Sequence, residues 1–376
     1  MTTRRNLLKA ASVLAPSALW AALKVPPRGG IKSFCIDFNW HREEGPSKWI
    51  NDFAKPGHWA DASPSEHVAW YEALGANVIQ TFAVSCNGYA WYQDGTVTPQ
   101  PGLKYDFLPE VVRLGHKKNM LVMGYFCAGA NTKFAQDHPG LSYGTPSTLH
   151  IPFTDGYLEY LSRSISDAVK RTGMDGFMID WIWNPSPKLR EKGWIPAEQK
   201  LFEKLMGKPF PAGAPAVEDV LAYERRAMER CWNAVHKAAK GARSNTIVWL
   251  SCSNLSAPTV ADAAWLKQVD WVMNEAPTRA YFDAARKMVG EQTRMLQCLV
   301  GWVQHDAAAY LADASTRGID LSDLPNRGTI RCRCPSPITW PAVRPVFQVT
   351  TGDQRTIATS PLWRASTGAD RRHENQ

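Results

Sequence analysis

Asp175-Gly176-Phe177-Met178-Ile179-Asp180-Trp181 is a short apolar run bounded by two acids and followed by an aromatic residue. Apolar runs of four to eight residues read as strands buried on both faces, the habit of parallel sheets. A carboxylate at the tip of such a strand is costly unless something holds it, so Asp180 reads as a residue kept for a partner or a reaction. Working outward, the same kind of run recurs at Ile31 to Trp40, Asn77 to Ser85, Met120 to Ala128, Thr246 to Ser253, Val269 to Asn274 and Met295 to Trp302. Helical patterns lie between and after them: Ser65 to Leu74, Phe107 to Lys118, Gly156 to Arg171, Val220 to Lys240, Val260 to Lys267, Arg279 to Gln292 and Ala307 to Arg317. The segment 156–171 places Leu158, Leu161, Ile165, Ala168 and Val169 on one face, and Ser63-Pro64 is a cap-and-start signal.

Seven βα units in series predict an α/β chain, a (β/α)8 TIM barrel over residues 26–324. No glycine-rich phosphate loop follows an early strand, which removes the usual nucleotide-binding reading. The long stretch Pro185 to Asp219 reads as a loop forming an active-site wall. Residues 325–376 break the pattern, with eight arginines, no lysine and Pro/Ser/Thr clusters. Only Val343 to Val349 resembles an eighth strand there, and Pro345 interrupts it, so barrel closure stays open. An altered end and a basic tail without fixed structure are both compatible with this composition.

The other end reads as a targeting signal. Thr3-Arg4-Arg5-Asn6-Leu7-Leu8-Lys9 and the apolar run Ala10 to Leu23 make residues 1–25 a twin-arginine signal peptide, implying a periplasmic or extracellular protein. That run is short for a membrane span, although a tethering helix is the alternative. Of the net charge of +8, residues 1–25 carry +4 and residues 325–376 carry +5, leaving the body at −1. A near-neutral body has no electrostatic footprint for nucleic acid. The 8 cysteines show no CxxC spacing, and most fall in apolar runs, so they read as packed thiols and not as a disulfide framework or zinc site. No metal or other cofactor is called for, and no oligomeric state is assigned.

In a barrel the reactive groups stand just beyond the C-terminal strand ends. The first run ends in Asp37, Asn39 and His41, the second in Ser85, Cys86 and Asn87, and the third contributes Tyr125. The fourth contributes Asp180, Trp181 and Trp183, the fifth Asn254, the sixth Glu275, and the seventh Trp302 and His305. Asp180 and Glu275 facing across the mouth would suit glycoside cleavage: one attacks the anomeric carbon, the other protonates the leaving oxygen and then activates water. The bland alternatives are a loop-capping role for Asp180 and an ion pair from Glu275 to Arg279. Trp40, Trp181, Trp183 and Trp302 suit stacking on sugar faces, and His41 and His305 suit hydrogen bonding.

Four segments resemble the catalytic barrel of α-L-fucosidase-like glycoside hydrolases, over residues 31–184. They are Gly57-His58-Trp59 to Gly75-Ala76-Asn77-Val78, Ser85-Cys86-Asn87-Gly88-Tyr89-Ala90-Trp91, Pro101-Gly102 with Leu121 to Tyr125, and Asp175 to Trp181. The resemblance implies a TIM barrel, a carbohydrate substrate, and Asp180 as nucleophile. Where the family has a His-His-Asp segment that grips the sugar, this chain has Ser85, Cys86 and Asn87. Tyr223-Glu224-Arg225-Arg226 is also similar to twin-arginine-exported members of that group. The expectation is a retaining exo-glycosidase with Asp180 as nucleophile and Glu275 as acid/base. Asp37, Asn39, His41, Asn87, Tyr125, Trp181, Trp183, Asn254, Trp302 and His305 would form the sugar site. A catalytically silent glycan-binding barrel and a metal-dependent hydrolase are the alternatives.

Overall fold

The apolar runs become parallel strands stacked side by side in chain order. The computed structural model describes residues 25–26, 30–36, 38–39, 53–73, 75–144, 151–180, 182, 187–191, 193–252, 254–274, 279–297 and 345–347. Strands β1 (Ser33–Ile36), β2 (Val78–Gln80), β3 (Leu121–Cys127), β4 (Gly176–Asp180), β5 (Ile247–Cys252), β6 (Trp271–Asn274) and β7 (Arg294–Gln297) each pair in parallel with the next. Helices α1 (Pro64–Ala73), α2 (Phe107–Lys117), α4 (Asp155–Thr172), α7 (Val217–Ala242) and α8 (Arg279–Met288) lie between successive strands. This is the βα alternation expected from the sequence, giving an α/β fold on a seven-stranded parallel run.

Corrections arise at the edges and in the connections. The eighth strand, β8 (Pro345–Phe347), falls inside Val343 to Val349 but runs antiparallel to β1, with Cys35 opposite Val346. A (β/α)8 barrel needs that strand parallel and paired with β7 as well. Among the described residues β8 pairs only with β1, so a half-barrel run of parallel strands is seen and a closed barrel is not. Pro185 to Asp219 is not a plain loop. It contains α5 (Pro187–Arg190) and α6 (Pro196–Met206), the latter started by Pro196 and ended by Gly207 in the left-handed region. The segment Val260 to Lys267, expected as a helix, yields only a 3-10 turn over Ala264–Gln268. A short α3 (Thr132–Asp137), capped by Asn131 accepting from Phe134 N, was not foreseen.

Register is pinned at the N-terminal ends of the strands by polar residues standing just ahead of every second one. Asn77 Oδ1 accepts from Lys32 N at 2.7 Å, Asp175 Oδ2 from Val122 N at 2.8 Å, and Asp270 Oδ2 from Val248 N at 2.8 Å. Each ties the start of one strand to the approach of the next. Asp175 is further tied to His116 Nε2 at 2.8 Å and Asp270 to Lys240 Nζ at 2.7 Å. Of the two acids in the opening stretch, Asp175 therefore serves the strand register. At Gly176 the backbones of β4 and β5 approach so closely that a side chain would meet the Ile247 carbonyl, which explains glycine as the first residue of β4.

Lateral pairing sorts the side chains. Ile79 and Val122 face the helices, where Gly115 of α2 presses on both. The opposite face therefore carries Gln80, Met123, Tyr125, Cys127, Met178 and Asp180, and continues through Trp249, Ser251, Trp271 and Met273. Several of the tryptophans are core: Trp91, Trp232 and Trp249 are among the largest fully buried side chains.

The core also holds one misfit. His67 of α1 is buried among Phe38, Tyr71 and Phe107, with ring centroids 5.7, 5.0 and 5.2 Å away. Neither ring nitrogen has a hydrogen-bond partner among the described residues, and burial pushes its pKa down from 6.5 to about 3. The folded state therefore refuses a proton that the unfolded chain accepts. Stability from this source is complete above pH 6.5 and drains away as the pH falls towards 3. His67→Phe should remove that acid limb. Between pH 8 and pH 5 the variant is expected to gain about 2 kcal/mol over the parent. Urea unfolding at both pH values checks this, and an unchanged gap would place the limb elsewhere.

Candidate active site

Along β4 the first four residues are buried and Asp180 alone is half-exposed, so the strand delivers its terminal carboxylate to an accessible edge. Its main chain is anchored, with Ala128 N donating to Asp180 O at 2.8 Å, and Cys127 stands opposite it in register. Tyr125, two residues earlier on β3 and on the same face, donates its hydroxyl to Asp180 Oδ2 at 2.8 Å. The Tyr125 ring is buried against Phe82 at a centroid distance of 4.8 Å, so the hydroxyl arrives from a fixed direction. A charge-assisted bond of this kind holds one carboxylate oxygen in place.

Behind Tyr125 lies Cys86, whose Sγ is 3.7 Å from the tyrosine hydroxyl. Burial pushes the Cys86 thiol well up, a hydrogen bond with Cys127 and the charges of Cys127 and Asp180 push it further, and the Tyr125 hydrogen bond works downward. The thiol stays protonated. Its backbone N–H donates to Asn39 Oδ1 at 2.8 Å, and its carbonyl accepts from Thr132 N at 3.0 Å.

The expected sugar-binding residues divide into three groups. Tyr125 sits directly on Asp180. Asn39, Asn87 and Asn254 lie near strand ends, but their side chains make local bonds. Asn39 ties the segment after β1 to that after β2. Asn87 is 4% exposed, and its amide is taken up four times: it donates to Ala54 O and Gln100 Oε1 and accepts from Tyr89 N and Gln100 Nε2. Through these bonds Asn87 locks the loop. Asn254 Oδ1 accepts from Ser256 N at 2.9 Å, closing a turn after β5. Asp37, His41, Trp181, Trp183, Glu275, Trp302 and His305 lie outside the described residues.

Ser85 completes the loop after β2. Its Oγ accepts from Trp91 Nε1 at 2.6 Å, and Trp91 stacks on Phe38 at 4.6 Å. Gly88, at φ +89°, brings the chain against Asn131 and Lys133, a path closed to other residues. All three of Ser85, Cys86 and Asn87 point into the protein.

A second polar cluster, not foreseen from sequence, stands beyond β4 in the insertion. Arg190 of α5 donates to Glu198 Oε1 at 2.7 Å, to Glu198 Oε2 at 3.3 Å and to Glu224 Oε1 at 2.6 Å. Tyr143 and Tyr223 also donate to Glu198, which is fully buried. The guanidinium lies 4.2 Å from the Trp194 ring centroid. Residues 190 and 198 sit on separate helices joined by a turn, so no helical spacing advertises the pair. Among the described residues no three His, Cys, Asp or Glu side chains converge as metal ligands would, and no helix is long and apolar enough to cross a membrane.

Residues 63–181, from the start of α1 to just past Asp180, match a family model described as hypothetical glycosyl hydrolase 6. Among solved structures, the chain is similar to alpha-L-fucosidase isoenzyme 2 from Paenibacillus thiaminolyticus at 14% identity and a TM-score of 0.47, over 76% of this chain and 48% of that one. It is also similar to a beta-galactosidase from Bacillus circulans sp. alkalophilus, at 14% identity and a TM-score of 0.42, over 62% and 42% of the two chains. An alpha-amylase from Geobacillus thermoleovorans is similar at 12% identity and a TM-score of 0.40, over 67% and 52%. The chain thus spans about half the length of that fucosidase. No curated protein matches it in sequence.

Proposed function

We propose that this protein is a retaining glycoside hydrolase acting on glycans from their ends, with Asp180 as nucleophile and Glu275 as acid/base. The observation that carries the proposal is the Asp180 carboxylate, half-exposed at the C-terminal end of β4 with one oxygen held by Tyr125 at 2.8 Å. A half-exposed carboxylate with one oxygen held in a fixed direction is suited to in-line attack on an anomeric carbon. The match of residues 63–181 to a glycosyl hydrolase family model supports the reading, since it ends one residue beyond Asp180. For Glu275, which lies outside the described residues, the support is the sequence alone: it is the acid that closes the sixth apolar run. Fucosides and related deoxy or galacto-configured sugars are the proposed substrates, and export by the twin-arginine route the proposed destination. Both rest on sequence.

One observation favours a second reading. Ser85, Cys86 and Asn87 replace the segment that in the resembling family grips the sugar, and here they are buried in loop hydrogen bonds. A barrel that binds glycan without cleaving it would fit that loss. Incubation with a panel of 2-deoxy-2-fluoro glycosyl fluorides, followed by intact-mass measurement and peptide mapping, separates the two. The expected result is one glycosyl adduct on Asp180. An adduct elsewhere would reassign the nucleophile. A folded protein that binds glycans saturably, forms no adduct and hydrolyses nothing would establish the binding protein instead.

A further inference from the structure

We propose that Cys86 is a positioning residue, whose thiol donates to the Tyr125 hydroxyl and thereby commits the single tyrosine proton to Asp180. The inference starts from a proton count. An ionised carboxylate only accepts, so the 2.8 Å bond between Tyr125 and Asp180 Oδ2 uses the one hydrogen the phenol has. Cys86 Sγ approaches the same oxygen at 3.7 Å, and with the phenol hydrogen spent on Asp180 that contact takes S–H as donor and the phenol oxygen as acceptor, in competition with Cys127, the thiol's other side-chain hydrogen-bond partner. Three groups thus form a directed chain, Cys86 to Tyr125 to Asp180, in which each donation strengthens the next.

The surroundings hold the thiol to that task. Cys86 is fully buried, and its backbone is fixed from both sides by Asn39 Oδ1 and Thr132 N. Burial keeps the proton on this thiol, which the donor role requires. The titratable groups near Asp180 include Tyr125 and Cys127 from β3 and Cys86 from the segment after β2. Tyr157 of α4 stands behind and also feels Cys86 and Cys127. Cys127 is Asp180's register partner and the rival hydrogen-bond partner of the Cys86 thiol, so it enters the experiment as a control.

The catalytic value of the chain rests on Asp180 being the nucleophile, but its existence does not, and the test reads no turnover. The full chain carrying 13C-carboxyl-labelled aspartate is titrated by NMR, with Asp180→Asn used to identify the Asp180 signal. Cys86→Ala, or the closer-sized Cys86→Val if the alanine variant unfolds, is expected to raise the Asp180 midpoint by about half a pH unit, one weak hydrogen bond felt at one remove. Cys86→Ser, which keeps a donor, should restore the parental midpoint. With Tyr125→Phe already in place, removing the thiol should change nothing further, and Cys127→Ala should leave the Cys86 effect intact. An unmoved midpoint in folded Cys86→Ala or Cys86→Val overturns the proposal. So does an equal shift with Tyr125 absent, which would make the thiol a general packing element. A protein that hydrolyses no glycoside yet shows the Tyr125-dependent shift would sink the proposed function and leave this chain of donors standing.

Discussion

Asp180→Asn is expected to lower glycoside turnover by about 10^3-fold or more, with the fold unchanged. The amide has the shape of the carboxylate but no charge with which to attack, so the covalent step is lost. Structure is spared for a local reason. Asp180 is half-exposed at a strand tip, its backbone carbonyl still accepts from Ala128 N, and the Tyr125 hydroxyl can donate to the amide oxygen as it did to the carboxylate. The measurement is kcat for whichever sugar traps the parent enzyme, beside a thermal melt of each protein. Parental turnover in a folded Asp180→Asn variant would remove Asp180 from the chemistry. A collapse of the melt would instead make it a structural acid. That second role already has an occupant five residues away, because Asp175 ties β3 to β4.

How much of this was legible depends on how local each feature is. The parallel strands were, since strands buried on both faces are apolar nearly throughout and end where a polar residue stops the run, as Asp180 does in β4. The orientation of Asp180 was legible for the same reason. The Tyr125–Asp180 bond was not, because it joins residues 55 apart and depends on the β3/β4 register. Asparagine at a strand end gives no sign of the loop bonds that Asn87 makes. The same amide can hold a sugar or a loop, and its loop partners Gln100 and Ala54 stand 13 and 33 residues away in sequence. Helix α6 was hidden by the proline and lysines that made Pro185 to Asp219 look like a loop. Pro196 in fact starts the helix, and Leu201 and Phe202 are buried by it. The antiparallel course of β8 has no signature at all in three residues beginning with proline.

The insertion that α6 belongs to carries the largest expected loss of stability. Arg190→Met should destabilise the protein by about 3–5 kcal/mol, because it leaves Glu198 buried without its cation. Methionine fills much of the same volume, so packing is not the cause. Two carboxylates, from Glu198 and Glu224, share this one guanidinium, and both side chains of the Arg190–Glu198 pair are almost completely buried. Burial works to lower the Arg190 pKa, yet the charge and hydrogen bonds of Glu198 and Glu224 outweigh it and hold the guanidinium above its ordinary value. The same interactions are what the variant forfeits. Tyr143 and Tyr223 would still donate to Glu198, but two neutral hydroxyls do not offset a negative charge in that surrounding. Adding Glu198→Gln to Arg190→Met should therefore recover most of the loss, since the amide keeps an acceptor for the tyrosines and removes the charge. The check is urea unfolding of the parent, the single variant and the double variant, with limited proteolysis at Lys200 and Lys204 to report whether α6 has come loose. If the double variant is no more stable than Arg190→Met, then loss of the guanidinium's packing on Trp194, and not the stranded carboxylate, is what unfolds the insertion.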